Sequence, residues 1–490
     1  MQIKNKLLLV IYILSLFFSI YVSLDYTGSK LLYFLFTIVS LFYLGYLLRK
    51  NSIFFDNFIG IFFWMGIWFN YSLKLKLKKL YPEGIEGLKY WFSDGVGNFD
   101  FSGHAHDKVI IICIIAFMSI ISASFIREYL FKYEPETDHK SEIYFYKKHK
   151  IKIIFSYILI LISISYLNFD QKIFQRGMIS DGTNLLSLLF NFLFFIFFPS
   201  CICIIINYES KLSKSLKFSI FISIFESVIN SVSILSRNSI FNPISNFFGL
   251  IRKNNFSNKF KNSIFIFYFL SIVISFLFVL IIVSNIRNEG PLKITNLKED
   301  GKLIETSTKL SSEKNNILLG VSKILISRLI GIEGIMTVSS SDKLGFELLD
   351  KAIKEKYSNQ QESFYDTFKN EIRKQQACKW SEKSLEKCKL NSISLMGIIA
   401  FLFYSGSYLF LFFSLLLICL FCAFIEIYSY KLSRNLIYAS LISQVLAYRL
   451  WHFGYLPINS YKLIISIVLM TLLIFFYRFL LKKIYKFNKI

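Results

Sequence analysis

Long apolar runs separated by short basic gaps constrain this chain more than any other feature. Most of these runs approach the length of about 20 residues that crosses a bilayer as an α-helix. The sequence therefore predicts an all-α polytopic membrane protein, and it excludes a soluble enzyme, a disordered chain and a disulfide scaffold. The runs are 7–23, 31–48, 53–73, 108–126, 151–168, 184–206, 218–236, 264–284, 396–424, 435–450 and 461–481, with a shorter one at 239–251.

The composition agrees with this prediction. Of the 490 residues, 54% are hydrophobic and 18% are charged, whereas soluble domains carry about 25% charged residues. The formal net charge is +24, but the lysines and arginines lie mainly in the gaps between apolar runs, as the positive-inside rule requires. We therefore expect attraction to anionic membrane lipid, and no nucleic acid as a partner.

The basic gaps also predict the topology. They alternate between the two sides of a membrane only if the short run 239–251 crosses as well, which gives about 12 transmembrane helices with both termini in the cytoplasm. This run contains Pro243 and follows Arg237, so an irregular or broken helix is expected there. The first run lacks a small-residue cleavage site and is interpreted as a span rather than a signal peptide.

Two segments are expected on the outer side. The first, 74–107, begins with several lysines against the usual charge bias, and the second, 285–395, is long and polar with a helical pattern in 343–373. Long loops in a compact protein are usually functional. The predicted organisation is an N-terminal bundle over 1–284, a large helical periplasmic loop over 285–395 and a three-span bundle over 396–490.

The sequence lacks motifs for nucleotide and metal chemistry. It has no Walker A loop, no HExxH, no GxSxG and no Asp-x-Asp pair. His104, His106 and Asp107 lie close together in sequence, but alternating histidines in a loop are more often not a ligand set. We expect neither a metal nor a cofactor. Cys378 and Cys388 lie in the large loop with nine residues between them, where they form a disulfide in an oxidising compartment or remain free thiols.

Four arginines are predicted at the outer rim: Arg176, Arg237, Arg328 and Arg449. Arginines beside apolar segments either reach lipid headgroups or face a partner in a wet cavity. The guanidinium group matches phosphate oxygens bidentately, so a cluster of them favours a diphosphate-linked lipid.

Other rim residues have two interpretations each. Glu333 is either an ion-pair partner or a carboxylate that orients or deprotonates an attacking hydroxyl. His452 is either a general base or a membrane-interface residue. Tyr404, Tyr408 and Tyr448 either pack between helices or line a sugar site.

The architecture and four local strings resemble the bacterial O-antigen and capsule repeat-unit polymerases, the Wzy family. The resemblance in motif covers about 230–250 and 325–460. The strings are Ser236-Arg237, Ser327-Arg328-Leu329-Ile330-Gly331-Ile332-Glu333-Gly334, Ala400-Phe401-Leu402-Phe403-Tyr404-Ser405-Gly406-Ser407, and Ala447-Tyr448-Arg449 with His452-Phe453-Gly454-Tyr455.

This resemblance implies a GT-C-like glycosyltransferase in the bacterial inner membrane. Such an enzyme moves a growing glycan from undecaprenyl diphosphate onto a new lipid-linked repeat unit at the periplasmic face, alongside a flippase and a chain-length regulator. It implies that Arg237, Arg328 and Arg449 hold the diphosphate, with Arg176 as a further candidate.

Two rival functions remain. An O-antigen ligase shares the chemistry but relies on a histidine in its large loop, and no histidine occurs between 150 and 451. A flippase or transporter for lipid-linked sugar predicts internal repeats and short loops, which this sequence lacks.

Overall fold

A computed structural model describes the chain over twelve stretches, and the fold is given for these residues alone. They are 2–49, 52–80, 99–130, 140–175, 185–212, 217–253, 262–289, 298–299, 302–303, 331–355, 396–453 and 457–487.

The regular secondary structure of the described chain is helical apart from one short antiparallel hairpin, in which β1 (Lys298–Glu299) pairs with β2 (Lys302–Leu303). In the first part of the chain the helices are α1 (Gln2–Ser23), α2 (Lys30–Leu47), α3 (Phe54–Phe63), α4 (Asn70–Leu80), α5 (Gly103–Leu130), α6 (Lys140–Gln171), α7 (Leu185–Phe192), α8 (Phe198–Leu212), α9 (Lys217–Ser233), α10 (Phe241–Lys253) and α11 (Asn262–Glu289). After the hairpin follow α12 (Ile332–Ser339), α13 (Phe346–Lys354), α14 (Ile398–Phe403), α15 (Tyr408–Ser433), α16 (Leu436–Trp451) and α17 (Pro457–Phe487).

Seven helices among the described residues are long and apolar enough to cross a membrane. Their outward side chains are apolar: Leu31, Ile151 and Leu185 are each more than 80% exposed, which is the surface that lipid, not water, tolerates over a large area. These features are those of a helical membrane protein. The seven are Lys30–Leu47, Phe54–Lys79, Gly103–Leu130, Ser141–Gln171, Leu185–Leu212, Tyr408–Ser433 and Asn459–Ile484.

The predicted apolar runs coincide with helices, with two differences. The run 396–424 is not one helix, because α14 ends at Phe403 and α15 starts only at Tyr408. Gly406 has φ +68 in this break, and the Ser407 hydroxyl caps α15 by accepting from the Phe410 N–H at 3.2 Å. The other difference is that helix continues from the run 53–73 through Leu80, so Lys74 is helical rather than in a loop.

The irregular helix predicted around Pro243 is present. A 3₁₀ turn, Arg237–Ile240, leads into α10, and Pro243 lies in the first turn of that helix, where its missing N–H is needed least. The irregular helix expected for 239–251 is therefore present, whereas its crossing of the membrane stays a prediction.

Helix α16 is the centre of the bundle and packs against α3, α8, α10 and α15. Its contact with α10 is close, because a Cβ on Gly249 would lie 2.7 Å from the Ile437 Cα. The Ser440 hydroxyl donates to the Ser245 carbonyl across this contact, at 2.7 Å. Small and hydroxylated residues at such crossings are typical of membrane helices.

Polar side chains join the helices at two ends of the bundle. At one, Arg127 pairs with Asp56 at 2.7 Å; we call it the Arg127 end. At the other, Lys74 pairs with Glu333 and Lys76 with Asp25; we call it the Lys74 end.

Candidate functional site

The rod formed by α3 and α4 changes pitch in its middle. A π-helical segment, Trp64–Phe69, separates the two α-helices. Segments of this kind are rare and frequently accompany functional sites. Directly after it, Asn70 and Lys74 stand four residues apart and so share one face of the helix.

Glu333 is placed opposite this face by a tightly seated short helix. It lies in the first turn of α12, which begins after Gly331, a residue with φ +135 that disfavours any side chain. A Cβ on Gly334 would overlap the Met396 carbonyl. The segment 331–334 therefore lies directly on the segment that leads into α14.

Lys74 and Glu333 form an ion pair at the bundle end. The Lys74 Nζ contacts the Glu333 Oε1, and the Asn70 Nδ2 donates to the same oxygen at 3.4 Å. The side chains of Lys74 and Glu333 are only 11% and 18% exposed. The second oxygen, Oε2, is buried and has no hydrogen-bond partner among the described residues. The ion-pair interpretation of Glu333 is thus the one that the geometry displays, with one oxygen left available.

The carboxyl end of α16 adjoins this pair. A Cβ on Gly331 would lie 3.6 Å from the Trp451 Nε1, and this buried indole nitrogen has no partner among the described residues. The Trp451 ring stacks on Phe62 at a centroid distance of 5.0 Å. Two polar atoms that have no partner among the described residues thus lie at the segment 331–334: the Glu333 Oε2 within it and the Trp451 Nε1 next to it.

Three predicted residues lie on the last turns of α16, but they point to different neighbours. The Tyr448 hydroxyl donates to the Asn238 Oδ1 at 3.3 Å, and the His452 ring stacks on Tyr448 at 4.2 Å. His452 is 6% exposed. The Arg449 Nε donates instead to the Ser460 Oγ at 3.0 Å, on α17. Although Arg449 is only two positions from Trp451, its guanidinium group is therefore directed to α17 rather than to Glu333.

Several predicted residues have no described side chain. For Arg237 the structure describes the backbone, at the start of the 3₁₀ turn whose next residue, Asn238, accepts from Tyr448. That bond holds the turn against the end of α16. Arg176, Arg328, Cys378 and Cys388 lie outside the described residues.

The other two predicted tyrosines have different surroundings. Tyr404 is fully buried in the break between α14 and α15, and its ring packs edge-on against Phe401 at 5.9 Å. Tyr408 is 37% exposed and packs on Phe403 at 5.4 Å. In this structure Tyr404 is a packing residue, whereas Tyr408 is partly accessible.

His106 and Asp107 are engaged with other groups at the Lys74 end. The His106 Nδ1 is hydrogen-bonded to the Tyr71 hydroxyl at 2.7 Å, and the Asp107 Oδ1 accepts from the Tyr26 hydroxyl at 2.8 Å. Burial and the neighbouring Asp107 raise the pKa of Tyr26. Within the described stretches, no group of three or more His, Cys, Asp or Glu side chains is close enough to hold a metal ion.

Sequence reasoning missed Lys74, Asn70 and Trp451 as members of the site. The available signal was the group of four lysines between 74 and 79, which contradicts the usual charge bias immediately after an apolar run. An intramembrane or rim cation needs a partner, but the later outer segment 285–395 contains many carboxylates, so this signal indicates a partner without identifying Glu333. Nothing in the sequence pointed to the Trp451 indole nitrogen.

Chemically, the arrangement joins a cation and a carboxylate in one sheltered ion pair. A buried indole N–H that has no partner among the described residues lies near Gly331, two positions before Glu333. An ammonium group binds phosphate oxygens as a point charge, and a carboxylate with an open oxygen accepts a proton or a hydroxyl hydrogen bond. Comparisons of the chain with protein-family models, with curated proteins and with solved structures found no match. The resemblance to the Wzy family is therefore carried by the local strings and the architecture alone.

Proposed function

We propose that the protein is a membrane glycosyltransferase that polymerises oligosaccharide repeat units carried on undecaprenyl diphosphate. The observation that carries this proposal is the sheltered Lys74–Glu333 pair, in which one carboxylate oxygen has no partner within the described part of the chain. The Ser-Arg-x-Ile-Gly-x-Glu-Gly string that resembles Wzy proteins contains this same Glu333.

In the proposed reaction an acceptor sugar hydroxyl attacks the anomeric carbon of the donor glycan. The bond from that carbon to the diphosphate oxygen breaks, and the undecaprenyl diphosphate departs with the bonding electron pair. Glu333 takes the hydroxyl proton through Oε2, as a general base positioned by Lys74 and Asn70. Lys74, with Arg237, Arg328 and Arg449 as further candidates, stabilises the charge that develops on the diphosphate. Because the leaving group is already activated, the proposal includes no metal and no nucleotide.

His452 is the alternative general base. Its ring stacks on Tyr448 and meets the Trp451 ring edge-on, at a centroid distance of 4.2 Å from each. Glu333 is the stronger candidate, because its open oxygen adjoins a cation suited to diphosphate.

The proposed function also requires a particular membrane topology. About twelve crossings in a GT-C-like bundle would place both termini in the cytoplasm and the Lys74 end at the periplasmic face of the bacterial inner membrane. A flippase would deliver the substrate there, and a chain-length regulator would limit the product.

Substitution of Glu333 tests the proposal directly. In a bacterium that relies on this chain for surface polysaccharide, Glu333→Gln should lower polymer formation by about 100-fold or more, the usual effect of losing a general base. Glu347→Gln changes an exposed carboxylate on α13 and serves as the matched control, with normal polymer expected. Membrane levels of both variants are measured by immunoblot.

The glycan that accumulates distinguishes the rival functions. Single repeat units on the surface agree with a polymerase defect. Polymer accumulating on the lipid carrier would identify a ligase, and repeat units trapped inside would identify a flippase. Normal polymer from Glu333→Gln at wild-type membrane level contradicts the role of Glu333.

A further inference from the structure

Helix α9 carries a row of buried polar side chains away from the Lys74–Glu333 pair. Glu226, Ser227, Asn230 and Ser231 are all 0% exposed, and they lie on one side of a helix whose other residues are mainly apolar or serine. Ionisable residues in such positions are expensive and mark functional sites more often than not.

Glu226 differs from the other buried carboxylates of the described chain in its partners. Its Oε1 accepts from the Asn230 amide, and its Oε2 has no partner among the described residues. Three of the other buried carboxylates contact a cation: Asp56 contacts Arg127 at 2.7 Å, Glu142 contacts Arg478 at 2.9 Å, and Glu209 contacts Lys150 at 2.7 Å. The fourth, Glu426, accepts from the backbone N–H groups of Phe54 and Phe55 at 3.0 and 2.7 Å.

The groups that face Glu226 from neighbouring helices are uncharged. Tyr157 on α6 and the thiols of Cys201 and Cys203 on α8 are the titratable ones, and none of them supplies a positive charge. The Phe194 carbonyl, which accepts from the Asn230 Nδ2 at 3.3 Å, belongs to the second π-helical segment, Leu193–Phe197. No described cation pairs with Glu226.

An isolated carboxylate in such surroundings costs several kcal/mol or more, so its charge requires compensation. We propose that Glu226 is the binding site of a small monovalent cation, a proton or Na⁺. The Glu226 carboxyl group provides the charge, and the Asn230 amide oxygen, which has no partner among the described residues, and the Phe194 carbonyl provide neutral oxygen ligands. A rotation of the Asn230 amide exchanges its oxygen and nitrogen and directs the oxygen at a bound Na⁺. In the orientation of the structure the amide nitrogen donates to the Glu226 Oε1, and Oε2 is the oxygen on which a proton would reside.

Infrared spectroscopy of the full chain in lipid tests the proton form. A protonated carboxyl gives a C=O band separate from the carboxylate bands, which should disappear in Glu226→Gln and shift in Glu226→Asp. Glu142→Gln is the matched control, since Glu142 is equally buried but is paired with Arg478; this change should leave the acid band in place. Glu226→Asp keeps the test valid if the Gln variant does not fold.

The Na⁺ form is tested on the same samples by thermal unfolding in sodium chloride and in choline chloride. Without an acid band, a rise in the unfolding midpoint with sodium that is lost in Glu226→Gln assigns the site to Na⁺. An acid band that depends on Glu226, with no sodium effect, assigns it to a proton. Absence of both the band and the sodium effect overturns the proposal. Because neither readout involves glycan, failure here is distinct from failure of the proposed polymerase function.

Discussion

Ion pairs in this protein differ in the solvent exposure of their side chains. Lys74 and Glu333 are 11% and 18% exposed, whereas Lys354 and Asp350, also in contact at 2.7 Å, are 74% and 56% exposed. Exposed pairs contribute little because water and salt screen them, while removal of one partner from a sheltered pair leaves a charge that has lost its hydration. The two pairs should therefore contribute very differently to stability.

A double-mutant cycle measures this difference. For Lys74→Met and Glu333→Gln we expect a coupling free energy above about 1 kcal/mol in the unfolding of the purified protein, within the range of contacting residues. For Lys354→Met and Asp350→Asn, about 0.3–0.5 kcal/mol is expected, as for exposed helix pairs. Equal coupling in the two cycles would mean that the Lys74–Glu333 contact is solvated.

Single residues of the site were only partly predictable. Glu333 and the end of α16 stand in recognisable strings, and the structure places Gly331, two positions before Glu333, close to Trp451, the neighbour of His452. Lys74 lies 259 positions from Glu333, and no pattern at either position specifies the pairing. Such contacts depend on how the helices pack, which local sequence does not determine.

At the scale of elements, hydropathy predicts where helices lie but not where they change pitch. Apolar runs coincide with helices because a chain in lipid must satisfy every backbone group internally. The two π-helical segments, Trp64–Phe69 and Leu193–Phe197, lie inside uninterrupted apolar sequence and are invisible to that argument. Likewise, the break before α15 depends on Gly406 and the Ser407 cap, and these were hidden within the run 396–424.

The crossing of α10 and α16 provides a test at this scale. Gly249→Ala places a Cβ 2.7 Å from the Ile437 Cα, a backbone atom that cannot move aside alone, so we expect destabilisation by about 1–3 kcal/mol. The measurement is the unfolding midpoint of the purified protein. Gly345→Ala is the control, since a Cβ there meets nothing within 4 Å. An unchanged midpoint for Gly249→Ala would show that the two helices separate freely.

At the scale of the whole molecule, the alternation of helices places several polar contacts of the described chain at one of two ends. Arg49–Glu128, Arg127–Asp56 and the bond from Arg252 to the Ser52 carbonyl lie at one. Lys76–Asp25 and the bond from Lys108 to the Ser339 carbonyl lie at the other. The charge rule predicts that the arginine-rich end faces the cytoplasm.

Cysteine labelling tests this orientation. In a Cys378→Ser and Cys388→Ser background, the exposed positions Lys343 and Lys148 are changed to cysteine one at a time. A membrane-impermeant maleimide should label Lys343→Cys in intact spheroplasts, and Lys148→Cys only after the membrane is opened. The opposite pattern would place the Lys74–Glu333 pair in the cytoplasm and contradict the proposed periplasmic reaction.

The buried bonds of the Arg127 end bear on how a bulky lipid enters. Glu426 on α15 binds the first N–H groups of α3, and Asp56 on α3 binds Arg127 on α5, so three helices are fastened together there. The opposite end is closed mainly by short helices and connecting segments. Under the proposed function, we therefore expect a lipid-linked substrate to enter laterally by an opening that is widest at the Lys74 end, while α3, α5 and α15 stay joined at the Arg127 end.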